Sequence, residues 1–404
     1  MAELDQTAQL DTNQSGSLAW STWGNAVMSP KSGNEIRSIC IVQTKFLGDV
    51  TLTSALVRNL RLAYPNASIT MVCAPGLKQF IVAQQIADVA VGFETGGRGR
   101  TPLKRLTDYY AVISALRGEK FDLSIDLTDT KTSRIMHRLT GAPLRVGFNP
   151  PDRPFKFWEI QMANVLAAPF GHGGSHYLYR YLSPLGALGL AIQDPTPRLR
   201  PTKSAQEECA KLLSENALAK KSYVAVHAGA RSEGRRWPPQ HFAAVIDEIY
   251  AKTGLRSLIV GGPDERPVAQ SIIETATSPV ATGVGKASLE VLVALLAEAA
   301  IFLGNDSGPM HVAASVGTPT VGLFGLQSPD LWGPFGVPNK TLRPPVPCSC
   351  VAPGVCKEYD PGGVHCVQRL QVAEVAEATF DLIEIMNGSR PTQTTMHVLP
   401  RIDP

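Results

Sequence analysis

The sequence predicts an α/β protein with two domains, each built on a parallel sheet covered by helices. Short apolar runs typical of buried strands alternate with segments of helical periodicity along most of the chain, which is the pattern of βαβ units. A length of 404 residues is more than one hydrophobic core usually serves. Residues 191–204 hold three prolines and no apolar period, so we expect a linker there.

The first half predicts a polar extension followed by a βα-repeating domain. Residues 1–35 show no hydrophobic period and are expected to be disordered. We assign 36–190 to the N-terminal domain. Its first helix has leucines at helical spacing and ends at Pro65-Asn66. Its strands are predicted at Ile36–Thr44, Ile69–Cys73, Val89–Phe93, Leu123–Leu127 and Leu144–Phe148.

The second half repeats the strand and helix alternation, and we assign 205–370 to the C-terminal domain. Residues 371–404 are expected to form a last helix and a tail. Strands are predicted at Tyr223–His227 and Ser257–Val260. Helices are predicted at Cys209–Leu218, from about Gln240 to Lys252, and at Ser288–Glu298.

The most informative stretch is GNDSGPMHVAASVGTPTVGLFG, residues Gly304–Gly325, which predicts a strand, a tight loop, a helix and a strand. Pro309 suits a first helical turn because its missing N–H would be unpaired there in any case. The amides of Ser307 and Gly308 would then lie open at a helix N-terminus, a site suited to phosphate. A turn that binds nothing is the alternative, and His311 one turn further favours a ligand.

This stretch resembles the signature of glycosyltransferase family 9, the ADP-heptose:lipopolysaccharide heptosyltransferases, roughly G-N-D-[ST]-G-P-x-H-x-A-A-x-G-x-P. The first unit, with Gly48-Asp49 and a helix closing on Pro65-Asn66-Ala67, is similar to the family as well. The resemblance implies the GT-B architecture, in which two Rossmann-like domains face each other across a cleft. It also implies inverting transfer of a heptose from an ADP-sugar to the lipopolysaccharide inner core, without a catalytic metal.

The donor is expected on loops of the second half. Ser307, Gly308 and His311 would hold the diphosphate, and Arg235 or Arg236 would add a cation as the leaving group departs. The family usually has Lys where this chain has Arg235. Asp264 is a candidate partner for ribose hydroxyls, with a plain turn residue as the alternative. The remaining donor candidates are Asp306, Pro309, Met310, Gly229, Ala230 and Lys286.

The resemblance places the catalytic aspartate of the family on Asp49, which would take the proton of the attacking hydroxyl. The alternative is that Asp49 caps a helix starting near Val50. Asp126 and Asp129 are the next candidates for the base.

A basic run, GGRGRTPLKRLTDYY, lies between two predicted strands of the first half. We interpret it as a loop that holds the phosphate- and carboxylate-bearing acceptor, or else as a solvated surface. Its cations are Arg98, Arg100, Lys104 and Arg105.

Four of the seven cysteines lie within residues 348–366. Such thiols can close a tetrahedral zinc or iron site, although the spacing is not that of two C-x-x-C knuckles. Many family 9 chains carry a similar loop, and reduced cysteines without a metal are the alternative. The candidate ligands are Cys348, Cys350, Cys356 and Cys366.

Several other functions are disfavoured. A net charge of +3 is too small to predict nucleic-acid binding. No apolar run reaches the length of about eighteen residues of a membrane helix, and the N-terminus lacks the features of a signal peptide. We therefore expect a cytoplasmic protein, either free or at the inner face of the inner membrane. GVGKAS lacks the first glycine of a P-loop, and no G-x-G-x-x-G follows the first strand of either half.

Three alternatives to lipopolysaccharide transfer stay open: a sugar-nucleotide epimerase, a transferase with a protein or other glycan acceptor, and a non-catalytic module that binds a sugar nucleotide or a metal. An epimerase would turn over a nucleotide sugar without any acceptor.

Overall fold

The computed structural model describes residues 35–94, 101–148, 162–167, 176–325, 327–344 and 366–388, except for the side chains of 102–106 and 108. These residues form two six-stranded parallel sheets, one in each half of the chain. This confirms the predicted α/β class. The expected disorder of residues 1–35 and the tail beyond residue 388 lie outside the described residues, apart from Glu35.

The first sheet has the strand order β3-β2-β1-β4-β5-β6. The chain order reverses between β1 and β4, and in open parallel sheets such a switch point is where ligands bind. The strands are β1 (Ser38–Gln43), β2 (Ser68–Cys73), β3 (Val89–Gly92), β4 (Leu123–Asp126), β5 (Leu144–Phe148) and β6 (Val165–Ala167). The helices are α1 (Leu47–Ala63), α2 (Lys78–Ala83), α3 (Pro102–Gly118), α4 (Lys131–Leu139) and α5 (Leu178–Ala187).

The second sheet has the order β12-β11-β10-β7-β8-β9, with its switch point between β10 and β7. The strands are β7 (Tyr223–His227), β8 (Arg256–Ile259), β9 (Val280–Thr282), β10 (Ile301–Asn305), β11 (Thr320–Leu323) and β12 (Asn339–Leu342). The helices are α6 (Lys203–Glu215), α7 (Pro239–Thr253), α8 (Arg266–Thr275), α9 (Leu289–Glu298), α10 (Gly308–Ser315), α11 (Pro329–Trp332) and α12 (Val372–Met386).

Two predicted elements differ from the structure. The helix expected over Cys209–Leu218 begins earlier, at Lys203, because the Thr202 side chain accepts the Ala205 amide at 3.2 Å and caps it there. The last residues of the segment expected as a linker therefore belong to a helix. The basic run was expected as a loop, but α3 begins at Pro102, a residue well suited to a first helical turn. Lys104 and Arg105 thus lie on a helix.

The segment between the halves is tied to both of them. Asn59 on α1 accepts the Gln193 amide at 2.7 Å, and Arg58 forms an ion pair with Asp194. Further on, the Leu199 amide donates to Ser315 on α10 at 3.0 Å. These bonds fix the approach of one half to the other. No helix in the described ranges is both long enough and apolar enough to cross a membrane.

Candidate active site

The N-termini of α1 and α10 meet between the two sheets, and their glycines allow this close approach. A Cβ on Gly48 would lie 2.7 Å from Cδ2 of His311, and one on Gly308 would lie 3.0 Å from Cβ of Leu47. Each helix begins at the carboxyl end of a strand beside a switch point. The structure therefore brings together Asp49 and the Ser307–His311 segment, which are far apart in the chain.

Asp49 is the third residue of α1, and its carboxylate is 8% exposed. Its Oδ2 accepts the Phe46 amide at 3.3 Å, while Oδ1 accepts the phenol O–H of Tyr181 on α5. The carboxylate thus interacts with the start of its helix as the third residue of a capping box, but the helix begins at Leu47 after Phe46, so Asp49 is not the cap of a helix starting near Val50. The residue before it, Gly48, packs closely against His311 of the other half.

Ser307 precedes the first turn of α10, and its hydroxyl makes no capping bond to that helix. Instead it lies 3.0 Å from Nδ1 of the buried His227, at the end of β7. The Nε2 of His227 is 3.2 Å from Oε1 of Glu265. A carboxylate accepts from Nε2–H, which leaves Nδ1 of a neutral ring to accept the Ser307 proton. The first amides of α10 therefore keep their capacity to bind an anion.

Two acidic residues follow β8, and Glu265 is more enclosed than the predicted Asp264. Asp264 is exposed, whereas the Glu265 carboxylate lies over two glycines: its oxygens are 1.5 Å from a Cβ built on Gly229 and 2.3 Å from one on Gly261. It accepts the Gly262 amide at 2.8 Å. Burial acts to raise the pKa of Glu265, but its hydrogen bonds with His227 and the Gly262 amide, together with the nearby Arg236 charge, outweigh it and lower the pKa.

Only one of the two neighbouring arginines faces the α10 loop. Arg235 Nη1 is 3.3 Å from Oδ2 of Asp306, a buried residue that follows β10. Burial raises the pKa of Asp306 to about 6, and the Arg235 charge opposes that rise. Arg236 is exposed and donates from Nε to the Ala230 carbonyl at 2.8 Å.

His311 lies in the first turns of α10 and is buried. Burial, with the nearby His176 and Arg235, lowers the pKa of His311 to about 3, so the ring is neutral at neutral pH. Its Nδ1 has no hydrogen-bond partner among the described residues. It can therefore offer a ligand a hydrogen bond but not a positive charge.

Three other donor candidates offer no side-chain group to this site. The Met310 side chain is buried in the hydrophobic core, so the residue has only its backbone to offer, and Pro309 has no N–H. Lys286 is exposed in the turn after β9, the edge strand of the second sheet.

Comparison with known proteins decides the family. The sequence model of glycosyltransferase family 9 (heptosyltransferase) matches residues 109–352. The chain belongs to glycosyltransferase family 9. It is 28% identical over 295 residues to "Lipopolysaccharide heptosyltransferase 3" of Escherichia coli, covering 72% of this chain and 84% of that protein.

Solved structures agree on the fold of this family 9 enzyme. A glycosyl transferase of family 9 from Veillonella parvula superimposes with a TM-score of 0.71 at 21% identity, over 87% of this chain and 98% of that one. The E. coli heptosyltransferase WaaC with ADP gives a TM-score of 0.66 at 19% identity, over 85% and 99%. The fold is thus the GT-B architecture.

Several acidic and basic side chains of the glycosyltransferase surround the first switch point. The buried Asp126 accepts the Thr128 and Asp129 amides and the Ser133 hydroxyl, and burial raises the pKa of Asp126 to about 7. Asp129 forms ion pairs with Arg134 at 2.7 Å and with Arg180 at 2.9 Å. Both carboxylates are therefore occupied by local structure, more so than Asp49.

The acceptor and metal candidates of the glycosyltransferase lie largely outside the described residues. This holds for Arg98 and Arg100, for the side chains of Lys104 and Arg105, and for Cys348, Cys350 and Cys356. Cys366 begins a short 3₁₀ helix, with its sulfur 3.1 Å from a Cβ built on Gly325. Within the described part of the chain, no three His, Cys, Asp or Glu side chains are grouped as metal ligands.

The sequence interpretation missed His227, Glu265 and Tyr181. His227 ends a predicted strand and Glu265 adjoins Asp264, so their positions were available as weak signals. Tyr181 lies in a helix that no motif marked, and only the fold brings it to Asp49.

Proposed function

We propose that this family 9 enzyme transfers a heptose from an ADP-sugar to the inner core of lipopolysaccharide, with inversion at the anomeric carbon. The observation that carries the proposal is the close approach of α1 to the α10 N-terminus at Gly48, the residue before Asp49, where an added Cβ would lie 2.7 Å from His311. The similarity to lipopolysaccharide heptosyltransferase 3 supports the sugar and the acceptor, and the solved WaaC complex contains ADP.

The donor diphosphate would bind at the N-terminus of α10, because the amides of Ser307 and Gly308 have no partners within that helix. Arg235 would contact the same phosphates and balance the charge that develops as ADP leaves. Asp306 would orient this guanidinium, to which it is paired. Glu265 would accept hydrogen bonds from ribose hydroxyls, the role predicted for Asp264.

On the other side of the cleft, Asp49 would act as general base. Its carboxylate takes the proton of the acceptor hydroxyl while that oxygen forms the new bond to the anomeric carbon. The bond from this carbon to the diphosphate oxygen breaks on the opposite face, so the configuration inverts. Proton removal of this kind typically contributes about 10²–10⁴-fold to the rate.

The proposal also covers the acceptor contacts, the cysteine metal site and the location of the enzyme in the cell. The acceptor phosphates and carboxylates would contact Arg98, Arg100, Lys104 and Arg105. The four cysteines would hold one structural zinc or iron, which elemental analysis of protein purified without added metal would detect. Fractionation of cells would test the cytoplasmic location and association with the inner membrane surface.

The test is transfer from ADP-heptose to purified heptose-deficient lipopolysaccharide by wild type and Asp49→Asn. We expect the variant to turn over roughly 10²–10⁴ times more slowly. The asparagine oxygen can still accept the Tyr181 hydroxyl or the Phe46 amide, so ADP affinity and melting temperature should change little. Asp264→Asn, at an exposed carboxylate, is the matched control and should remain active.

Near-normal turnover of Asp49→Asn would show that the base lies elsewhere. Consumption of ADP-heptose without any acceptor would instead support the epimerase, and transfer to protein would change the acceptor.

A further inference from the structure

The Asp49 carboxylate has a partner that no sequence motif indicates. Tyr181 lies on α5, is 0% exposed, and donates its phenol O–H to Oδ1 of Asp49. A buried tyrosine usually satisfies its hydroxyl with any nearby acceptor, as Tyr223 does with the Leu295 carbonyl. The acceptor of the Tyr181 hydroxyl is instead the Asp49 carboxylate, the group to which we assign proton transfer.

We propose that Tyr181 is a positioning residue for the Asp49 base: its phenol holds Oδ1 and directs Oδ2 toward the acceptor hydroxyl. This inference rests on the proposed function of Asp49. The Phe46 amide is the other hydrogen-bond donor to the carboxylate among the described residues, and at 3.3 Å it is a long contact to Oδ2. Oδ2 has a second lone pair for the acceptor proton.

Tyr181 is linked through its neighbour Tyr177 to the half of the enzyme that carries the donor candidates. The Tyr177 amide donates to the Leu331 carbonyl at 2.8 Å, and the Tyr177 ring stacks on Trp332 with centroids 4.1 Å apart. Tyr177 in turn contacts Tyr181 edge to face, at 5.4 Å between centroids. The orientation of the base is thereby linked to contacts across the cleft.

The hydrogen bond also affects the ionisation of the pair. In general, a hydrogen-bond donor stabilises a charged carboxylate relative to the protonated acid. Burial raises the pKa of Tyr181 well above its usual value, so the phenol remains a donor at every pH used in an assay.

The other titratable or charged groups around this pair constrain how its pH dependence is interpreted. Because the pKa of His311 is lowered to about 3, its ring does not titrate in the assayed range. The groups on the surrounding elements are Lys45 on the β1–α1 loop, His176 and Tyr177 just before α5, Arg180 on α5, and His311 on α10.

The experiment compares the pH dependence of kcat in wild type, Tyr181→Phe and Tyr223→Phe. Tyr181→Phe removes one buried hydroxyl and its hydrogen bond to Asp49, and we expect kcat to fall by about tenfold or more. The acidic limb should move up by about one pH unit, since the charged carboxylate loses a donor. The KM for ADP-heptose should not change. Tyr223→Phe makes the same change at an equally buried site away from Asp49 and should leave the limb in place.

A second variant should shift the acidic limb of the pH profile in the opposite direction. Replacement of Tyr181 by 3-fluorotyrosine keeps the ring and makes the phenol a stronger donor, so the acidic limb should move to lower pH. This variant tests the proposal even if Tyr181→Phe folds poorly.

Introducing Tyr181→Phe into Asp49→Asn tests separately whether Asp49 is the base and whether Tyr181 acts through it. If Asp49 is the base and Tyr181 acts through it, the second substitution should have almost no further effect on turnover. An inactive Asp49→Asn enzyme together with an unmoved acidic limb in both Tyr181 variants would overturn this inference and keep the proposed function. An active Asp49→Asn enzyme would overturn both.

Discussion

At the scale of single residues, Arg235 and Arg236 are neighbours in the chain but have different surroundings. Arg235 pairs with the buried Asp306 beside the α10 N-terminus, while Arg236 is exposed and bonded to a backbone carbonyl. The short 3₁₀ helix Glu233–Arg235 turns the two side chains apart. Charge alone would have treated them as equivalent.

We expect Arg235→Ala to weaken ADP binding by roughly 1–3 kcal/mol, the range for a charge-assisted contact. The substitution should also leave Asp306 buried without its cation, which raises the pKa of Asp306 further. Above that pKa, the carboxylate charge beside the phosphates is no longer compensated. Titration calorimetry with ADP measures the loss.

Arg236→Ala is the control, because it removes the same charge one residue later. Its ADP affinity should stay close to that of wild type. Equal losses in both variants would mean that only the overall charge of the loop matters.

At the scale of elements, the junction of α1 and α10 depends on the absence of a side chain at Gly48. The ring of His311 is buried and cannot swing into solvent, so an added methyl group must push the helices apart. This junction sets the distance between Asp49 and the donor loop.

Gly48→Ala should therefore lower the free energy of unfolding by roughly 1–3 kcal/mol, the usual cost of overpacking. Turnover should fall as well if Asp49 is the base, because its carboxylate would move away from the donor. Thermal unfolding and the transfer assay measure the two effects.

Gly118→Ala provides the comparison, since Gly118 ends α3, is exposed, and has nothing within 4 Å of an added Cβ. It should be neutral or slightly stabilising. A stable, active Gly48→Ala enzyme would argue that the two helices do not need this close approach.

At the scale of the whole molecule, the two halves are joined by more than the linker. The α1–α10 junction, the Leu199–Ser315 bond and the Tyr177–Trp332 stack all cross between them. A ligand that binds one half should therefore stabilise both.

ADP should raise the melting temperature more than UDP does, because only a ligand that binds the native state shifts unfolding. At a hundredfold excess over its Kd, the gain is about 2.7 kcal/mol. We expect a single transition that moves as a whole in a differential scanning calorimetry trace. Equal shifts for ADP and UDP would contradict the donor assignment, and a separate transition unmoved by ADP would show that the halves unfold independently.

The sequence by itself determined the fold class, most strand positions and the family. Buried parallel strands must be apolar, and the helices between them have apolar residues at helical spacing. The local sequence pattern therefore predicts both directly. The same holds for Gly304–Gly325, where a strand, a tight turn and a helix are contiguous in the chain. Asp49 was also found locally, through a motif at the start of α1.

Only the tertiary structure decided which side chains surround these motifs. Tyr181 is 132 residues from Asp49, and His227 is 80 residues from Ser307, so no local period could relate them. The choice of Glu265 over Asp264 depended on the space above Gly229 and Gly261, which exists only once β7 and β8 are paired. Hydrogen bonds and burial are properties of three-dimensional neighbours, and the chain order does not contain them.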